Sequence, residues 1–132
     1  MLYRDVLVIE TTTGTSLYDI TGGIELVIQK SKIGEGLCNI FLSGTTAGIL
    51  INEHEHLLVE DFKRFYKYMA DDEKLYSHPA NAMSHLRASV VGNEKTIPVA
   101  GGKLLLGQWQ RVMLWEFDVT ARKREIVVTI IG

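Results

Sequence analysis

The order of predicted elements indicates an α+β protein, because most of the strands are segregated from the helices along the chain. The first half is predicted as strand, helix, strand, strand, helix, and the second half as mostly strand, unlike the strict alternation of doubly wound folds. The chain has 132 residues, the length of one domain, and no segment rich in Pro, Gly or Ser divides it. We therefore predict a single domain over residues 1–132.

The N-terminal part begins with a strand over Tyr3–Thr12, where β-branched and apolar residues dominate. A first helix is predicted over residues 21–32, because Ile24, Val27 and Ile28 follow helical spacing. Two short apolar runs, Leu37–Leu42 and Ile49–Asn52, are then joined by a polar loop and are predicted as strands of one sheet.

The clearest helix spans His56–Met69, where apolar residues recur every three or four positions and charged residues lie opposite them. It is the second of two principal helices in the prediction. The remainder of the chain is predicted as strands over Leu86–Val91, Ile97–Val99, Lys103–Leu106, Val112–Asp118 and Glu125–Ile131.

Composition and charge exclude several classes of protein. Lys plus Arg total 14 against 16 for Asp plus Glu, so the chain lacks the basic excess of a nucleic-acid binder. No apolar run approaches the ~20 residues of a membrane helix, and the N-terminus lacks the layout of a signal peptide. The single cysteine, Cys38, excludes an intrachain disulfide. We expect a cytoplasmic protein with neither nucleic-acid nor membrane partners.

All four histidines lie within residues 54–85, as His54, His56, His78 and His85. Imidazole is the commonest side-chain ligand for zinc and related metals, so this cluster is compatible with a metal site. The spacing matches no known zinc motif such as HExxH, and exposed histidines at a helix start or in a loop are the alternative.

Two carboxylates lie at positions where catalytic groups occur. Glu53 ends an apolar strand and precedes a helix, so it is a candidate base or metal ligand. The alternative is a helix-start carboxylate stabilised by the helix dipole. Asp61 lies eight residues further on, and a surface salt bridge is its alternative role.

Polar side chains in two other segments are candidate ligand contacts. On a strand, Gln108 and Gln110 would point to one face and Trp109 to the other. The two amides would then bind a polar ligand by donor and acceptor pairing. The alternative is that Trp109 is a core residue and the glutamines form an oligomer surface. Thr45 and Thr46, which lie between glycines, offer hydroxyl and backbone N–H groups to an anion, although no phosphate-loop motif is present.

A larger set of residues, spread over nearly the whole chain, carries a family likeness. In order they are Gly44-Thr45-Thr46-Ala47-Gly48, Ile51-Asn52-Glu53, Asp61, Tyr76, His78, Asn81, His85, Gly92, Ile97-Pro98-Val99, Gly102-Lys103-Leu104, Leu106-Gly107, Trp109-Gln110, Glu116 and Asp118. Through them the chain resembles the YjbQ family (UPF0047), small proteins also described as secondary thiamine-phosphate synthases. The step from Asn81 to His85 and the string around Trp109 are the most specific parts.

The resemblance implies a large mixed, mainly antiparallel sheet and a homotrimer whose sheets pack around a threefold axis. It also implies a divalent metal, zinc or magnesium, and a small phosphorylated ligand. The implied activity is that of a thiamine-phosphate synthase, which joins a hydroxymethylpyrimidine pyrophosphate to a thiazole phosphate. The alternative is a metal- or small-molecule-binding homotrimer with little or no catalytic activity.

The family pattern also implies site residues. The expected metal ligands are His78, His85 and His56, the expected catalytic residues are Glu53 and Asp61, and the expected ligand contacts are Thr45, Thr46, Asn52, Asn81, Gln108 and Gln110. The chain departs from the pattern at Gly44, where the family usually has a histidine, and at His56, where an aspartate is common. A histidine at position 54 or 56 would have to replace the lost ligand.

Overall fold

The computed structural model describes residues 1–132, which form eight strands and three helices. In chain order they are β1 (Leu2–Glu10), β2 (Ser16–Asp19), α1 (Thr21–Ser31), β3 (Gly36–Leu42), β4 (Ala47–Asn52), α2 (His56–Met69), α3 (Ala82–Val91), β5 (Glu94–Ala100), β6 (Lys103–Leu104), β7 (Arg111–Glu116) and β8 (Lys123–Ile131). The predicted α+β class is confirmed. No helix has the length and apolar character needed to cross a membrane.

The strands form two sheets in which neighbouring strands are antiparallel. The larger sheet has the order β1-β8-β3-β5-β6, and the smaller has the order β2-β7-β4. The first and last strands pair along their whole length, from Leu2 opposite Ile131 to Glu10 opposite Lys123. The larger sheet is therefore complete only when both ends of the chain are in place.

The main core lies between α1 and the inner face of the five-stranded sheet. Ile24, Val27 and Ile28 are at most 1% exposed, which confirms the apolar stripe predicted for this helix. Gly23 lets the helix lie close to β1, because a Cβ atom at that position would stand 3.1 Å from Leu7 Cδ1. The helix ends at Lys32, whose left-handed backbone (φ +59°) closes the last turn.

A second core of aromatic residues joins α2 and α3 to the three-stranded sheet. Trp115 and Phe117 follow one another on the same face of the β7 segment and stack with ring centroids 6.1 Å apart. The Tyr66 ring meets them edge-on, at 5.1 Å and 4.8 Å respectively. Tyr66 is the only buried residue of α2, and the half-buried Val59 and Phe62 add to its contact with this core.

The prediction of a strand over Leu86–Val91 is wrong, because this segment belongs to α3. Its buried positions include Ser84, Ala88 and Val91, a spacing of four and three residues that fits a helix. The β-branched pair at its end favoured a strand, but packing decides the outcome. A Cβ atom at Gly48 would stand 2.6 Å from Val91 Cγ1, so the glycine lets the end of α3 lie directly on β4.

Two further differences concern short segments. Strand β2 was not predicted, since four residues are too few to show a period, and it is fixed by pairing with β7. The predicted strand over Lys103–Leu106 ends at Leu104, and the following residues form a turn. Gln110 closes this turn, because its Oε1 accepts a hydrogen bond from Gly107 N at 2.7 Å. The expected strand that would place Gln108 and Gln110 on one face is therefore wrong.

Candidate functional site

A cavity of about 380 Å³ lies at the start of α3 and is lined by Tyr76, Ser77, His78, Ala82, His85 and Leu86. We call it the histidine cavity. Helix α3 presents Ala82, His85 and Leu86 at steps of three and four residues, which places them on one side. The loop before the helix brings His78 to the same place, with the two imidazole centroids 5.2 Å apart. Two of the predicted ligand residues are thus neighbours.

The third predicted metal ligand, His56, does not join this pair. It is the first residue of α2, its side chain is 88% exposed, and its Nδ1 lies 3.3 Å from Glu55 Oε1. The chain contains no group of three or more His, Cys, Asp or Glu side chains that could hold a metal ion. The donor set of one chain therefore does not fit the three-ligand metal centre that the resemblance implies.

Gly44 stands where the resemblance implies a histidine, and its surroundings do not suit one. Gly44 adopts φ +122°, a backbone conformation that residues with a side chain rarely adopt. A Cβ atom at this position would stand 2.9 Å from Arg124 Nη1. In this chain, the space beside Gly44 is therefore occupied by the guanidinium group of Arg124.

A group of buried charges lies between the two sheets, and we call it the inter-sheet ion network; its members are Glu116, Asp118, Arg122 and Arg124. Glu116 comes from β7 of the smaller sheet and Arg124 from β8 of the larger one. Arg124 Nε donates to Glu116 Oε2 at 2.7 Å, and Arg124 Nη2 donates to Glu116 Oε1 at 2.5 Å. Glu116 is 0% exposed and Arg124 is 6% exposed, so the pair joins the sheets within the interior.

Asp118 connects this network to two of the predicted ligand contacts. Its Oδ2 accepts from Thr46 Oγ1 at 3.0 Å and from Arg122 Nε at 2.8 Å. Its Oδ1 accepts from Asn81 Nδ2 at 3.5 Å and from the Val119 N–H at 2.7 Å. Burial alone would raise the pKa of Asp118, but hydrogen bonds, first from Arg122, hold it below its usual value. One carboxylate thereby brings the Thr46 loop and the start of α3 together.

The two threonines of the loop differ in their surroundings. The Thr46 hydroxyl is used within the protein, since it donates to Asp118 and accepts from Arg124 Nη2 at 2.7 Å. The Thr45 side chain is exposed and makes no hydrogen bond within the chain. The hydroxyl available to a ligand is therefore that of Thr45.

The predicted catalytic carboxylates lie apart from the inter-sheet ion network. Glu53 is half-buried and its carboxylate accepts no hydrogen bond, whereas its N–H donates to Asn52 Oδ1 at 2.7 Å. Glu55, rather than Glu53, caps α2, because its carboxylate accepts from the N–H groups of residues 57 and 58. These hydrogen bonds lower the pKa of Glu55. Asp61 is exposed on α2 and pairs with Arg64.

One polar cluster was missed in the sequence. Asp19 ends β2, and its carboxylate accepts from Arg111 Nε at 2.8 Å, from the Thr21 N–H at 3.0 Å, and lies 3.2 Å from His54 Nδ1. Burial raises the pKa of Asp19, but the hydrogen bonds from Arg111, Thr21 and His54 outweigh it and bring the pKa to about 2. Of the candidate residues at the adjoining turn, Gln108 and Trp109 are exposed, and Trp109 does not enter the core.

Comparison with known proteins gives one consistent match. The family model described as UPF0047 protein YjbQ-like matches residues 5–132. A UPF0047 protein of Methanothermobacter thermautotrophicus is 35% identical, over 99% of this chain and 93% of that protein. A UPF0047 protein of Methanocaldococcus jannaschii is 38% identical, over 94% of this chain and 91% of that protein.

Solved structures show the same fold. A protein of unknown function from Sulfolobus solfataricus P2 has a TM-score of 0.96 and 37% identity, and the match covers 100% of this chain and 98% of that one. A hypothetical protein from Aeropyrum pernix K1 has a TM-score of 0.92 and 30% identity, with 98% of each chain covered.

Proposed function

Because the chain belongs to the YjbQ-like UPF0047 family, we propose that it binds a small phosphorylated heterocycle at the histidine cavity and is a thiamine-phosphate synthase-type transferase. The observation that carries the proposal is the pair of imidazoles, 5.2 Å apart, in a cavity of about 380 Å³. Neither imidazole makes a hydrogen bond to the rest of the chain. Both rings are therefore free to contact a ligand.

The size and lining of the cavity support a small aromatic ligand. Ligand pockets in proteins span roughly 300–1,000 Å³ and combine apolar walls with a few polar groups. Here Tyr76, Ala82 and Leu86 supply the apolar walls, and the two histidines supply polar atoms. A pyrimidine or thiazole ring would pack against these walls, while the imidazoles contact its ring nitrogens or its phosphate.

The proposed reaction sets one clear demand on the protein. The thiazole ring nitrogen would use its lone pair to form a C–N bond to the methylene carbon of the pyrimidine, while the bond from that carbon to pyrophosphate breaks. The leaving pyrophosphate keeps the electron pair, and no proton needs to move. The site must therefore stabilise a departing polyanion, and cationic imidazoles or backbone N–H groups are suited to this task.

The test is product formation from the two substrates. Purified protein would be mixed with hydroxymethylpyrimidine pyrophosphate, thiazole phosphate and magnesium, and thiamine phosphate would be measured. Product that depends on His85, and not on the exposed His56, would support the proposal. Absence of product from folded protein at every magnesium concentration would reject the transferase activity.

A second candidate is a homotrimer that binds a metal or a small molecule without catalysis. It is favoured by the outer face of the five-stranded sheet, where cross-strand neighbours are apolar and exposed. One row consists of Val6, Val127 and Phe41, and Val6 and Phe41 are 45% and 44% exposed. Leu2, Ile131 and Leu37 form a parallel row and are 49–55% exposed. A polar row of Arg4, Thr129 and Asn39 lies between the two apolar rows. Exposed apolar rows bordered by polar residues are typical of an interface between subunits.

The assembly is tested by light scattering. We expect about three times the 14.8 kDa chain mass, and Phe41→Lys should shift the protein towards the monomer because it places a charge within the apolar face. Leu26→Lys is the matched control, since Leu26 is 57% exposed on α1 and lies outside this face. A wild-type monomer, or a Phe41→Lys protein of unchanged mass, would contradict the proposed trimer interface.

A further inference from the structure

We propose that the loop Ser43–Thr46 and the guanidinium of Arg124 form a binding site for a tetrahedral oxyanion, the phosphate group of a small molecule. The inference rests on the proposed function for the identity of the molecule that carries the phosphate. It adds a residue, Arg124, that the sequence pattern did not identify as a ligand contact. It also assigns a consequence to Gly44, the position at which this chain lacks the histidine that its family usually has.

The first support is a set of unused donors in the loop. The N–H groups of Gly44, Thr45 and Thr46 make no hydrogen bond within the chain. They are three consecutive backbone donors, and the exposed hydroxyls of Ser43 and Thr45 lie beside them in the sequence. Runs of free backbone N–H groups in irregular loops are common anion-binding sites in proteins.

The loop is also held in place from both sides. Ser43 N donates to Glu125 O at 3.4 Å, and Asn93 Nδ2 donates to Gly44 O at 2.8 Å. The buried Thr46 hydroxyl is fixed between Arg124 and Asp118. These contacts use the Ser43 N–H, the Gly44 carbonyl and the Thr46 hydroxyl. They leave the N–H groups of residues 44–46 free, so these donors are ordered before any ligand binds.

The second support is an unused part of a buried guanidinium. The Arg124 side chain is only 7% exposed, and its Nε and Nη2 atoms are occupied by Glu116 and Thr46. Its Nη1 atom makes no hydrogen bond. Trp115 Nε1 is the only fully buried side-chain donor without a hydrogen-bond partner. Because Arg124 Nη1 also lacks a partner, it is not fully buried and reaches solvent.

Nη1 points towards the loop. It lies 2.9 Å from the place where a Cβ atom of Gly44 would stand. A side chain at position 44 would cover it, whereas glycine leaves it open next to the free N–H groups. The loop and the guanidinium therefore present their unused donors in one region.

The local charges permit an anion to enter. Glu116 and Asp118 balance Arg122 and Arg124 in number, and the oxygens of both carboxylates already accept hydrogen bonds. An incoming anion therefore meets neutral ion pairs and free N–H donors rather than a bare carboxylate. A phosphate suits this donor-rich site, because its oxygens accept several hydrogen bonds and guanidinium groups bind them in a fixed geometry.

The experiment measures binding of inorganic phosphate by calorimetry at constant ionic strength, with chloride replacing phosphate as the reference. Arg124→Lys keeps a positive charge opposite Glu116 but removes Nη1, and should weaken phosphate binding about tenfold, as expected for one charge-assisted hydrogen bond. Arg4→Lys is the matched control, because Arg4 also donates to a threonine hydroxyl, in this case through Nε at 3.0 Å, but lies on the outer sheet face. It should bind phosphate like the wild type.

Gly44→Ala provides a second variant, which substitutes neither Glu116 nor Arg124. Its added methyl group would stand 2.9 Å from Nη1 and should weaken binding by covering that atom. Thermal midpoints identify which variants are folded. Wild-type binding no stronger than that of chloride would overturn the inference, and so would unchanged phosphate affinity in Gly44→Ala. Phosphate binding without any thiamine phosphate formation would reject the transferase proposal and retain the phosphate site. Product formation without phosphate binding at this loop would reject the phosphate site and retain the transferase proposal.

Discussion

The histidine cavity and the inter-sheet ion network both adjoin the start of α3, but their polar side chains differ in whether they have hydrogen-bond partners. In the network, each charge of Glu116 and Asp118 is met by an arginine and by further donors. In the cavity, both imidazoles lack hydrogen-bond partners. The difference indicates that the network stabilises the fold and that the cavity is free to bind a ligand. Substitutions in the network should therefore lower stability, whereas substitutions in the cavity should lower ligand binding.

The largest effect is expected for Glu116→Ala. This change leaves the Arg124 guanidinium buried without its partner and should lower the free energy of unfolding by about 3–5 kcal/mol. Urea denaturation provides the measurement. Glu125→Ala, at the exposed neighbour of Arg124 on β8, is the control and should change stability by less than about 0.5 kcal/mol. Equal losses in the two variants would mean that the network does not hold the sheets together.

The next effect concerns the cavity. His85→Ala should lower the rate of thiamine phosphate formation by about 10²–10³, the range for loss of one group that stabilises charge developing in the transition state. Its unfolding free energy should fall by less than about 1 kcal/mol, because the ring makes no hydrogen bond within the protein. The control is His56→Ala at the exposed start of α2. A large loss of stability in His85→Ala with unchanged turnover would reverse the roles assigned to the two regions.

A smaller effect is expected at the Asp19 cluster, which is intermediate in exposure between the two regions. The pKa of Asp19 is about 2 when folded, against an ordinary value of 3.8, so its charge stabilises the folded state above pH 3.8. This stabilisation is lost as the pH falls from 3.8 to about 2. Asp19→Asn should therefore cost about 1 kcal/mol at neutral pH, allowing for solvent screening.

The same difference should shrink as the pH falls towards 2 and vanish below it, where Asp19 becomes protonated in the folded wild type as well. Unfolding curves at several pH values measure it. Asp5→Asn is a suitable control, because the only charged partner of Asp5 is Lys30, at 3.7 Å, and its other contact is a hydrogen bond from the neighbouring Val6 N–H. A wild-type and Asp19→Asn difference that stays constant from neutral to acid pH would show that the charge of Asp19 does not contribute.

The smallest change in stability is expected for Glu53→Gln. The carboxylate of Glu53 accepts no hydrogen bond, so the change should alter the unfolding free energy by less than about 0.5 kcal/mol. If Glu53 is the catalytic group that its position suggests, turnover should nevertheless fall by about 10²–10⁴. Turnover equal to that of the wild type would remove Glu53 from the proposed site.

The sequence predicted the elements whose signal is local. The stripe of α1 and the apolar run of His56–Met69 were found because helical spacing repeats over three turns. The strand assigned to Leu86–Val91 failed, because its β-branched residues carry the local signal whereas Gly48, far away in the chain, provides the space for a helix. Tertiary packing overrode propensity at this position.

The candidate site was predicted only in part. His78 and His85 lie seven residues apart, and their meeting was implied by the resemblance. The inter-sheet ion network was not foreseen, although Glu116 with Asp118 and Arg122 with Arg124 share a spacing of two, which places each pair on one face of a strand. Their contact depends on how the two sheets pack, because β7 and β8 belong to different sheets. No local sequence pattern predicts that packing.

The pairing of β1 with β8 has a consequence for the order of folding. Leu2 lies opposite Ile131, so the chain must close a loop that spans nearly its full length before this pair can form. Contacts so distant in sequence slow folding, because the entropy of closure is lost before the hydrogen bonds are gained. On the ribosome, β1 emerges first and waits for β8, the last strand, to complete the sheet. During that interval β1 has no partner strand and its inner-face residues Leu7 and Ile9 have no completed core to pack on, which exposes an unpaired apolar strand to aggregation.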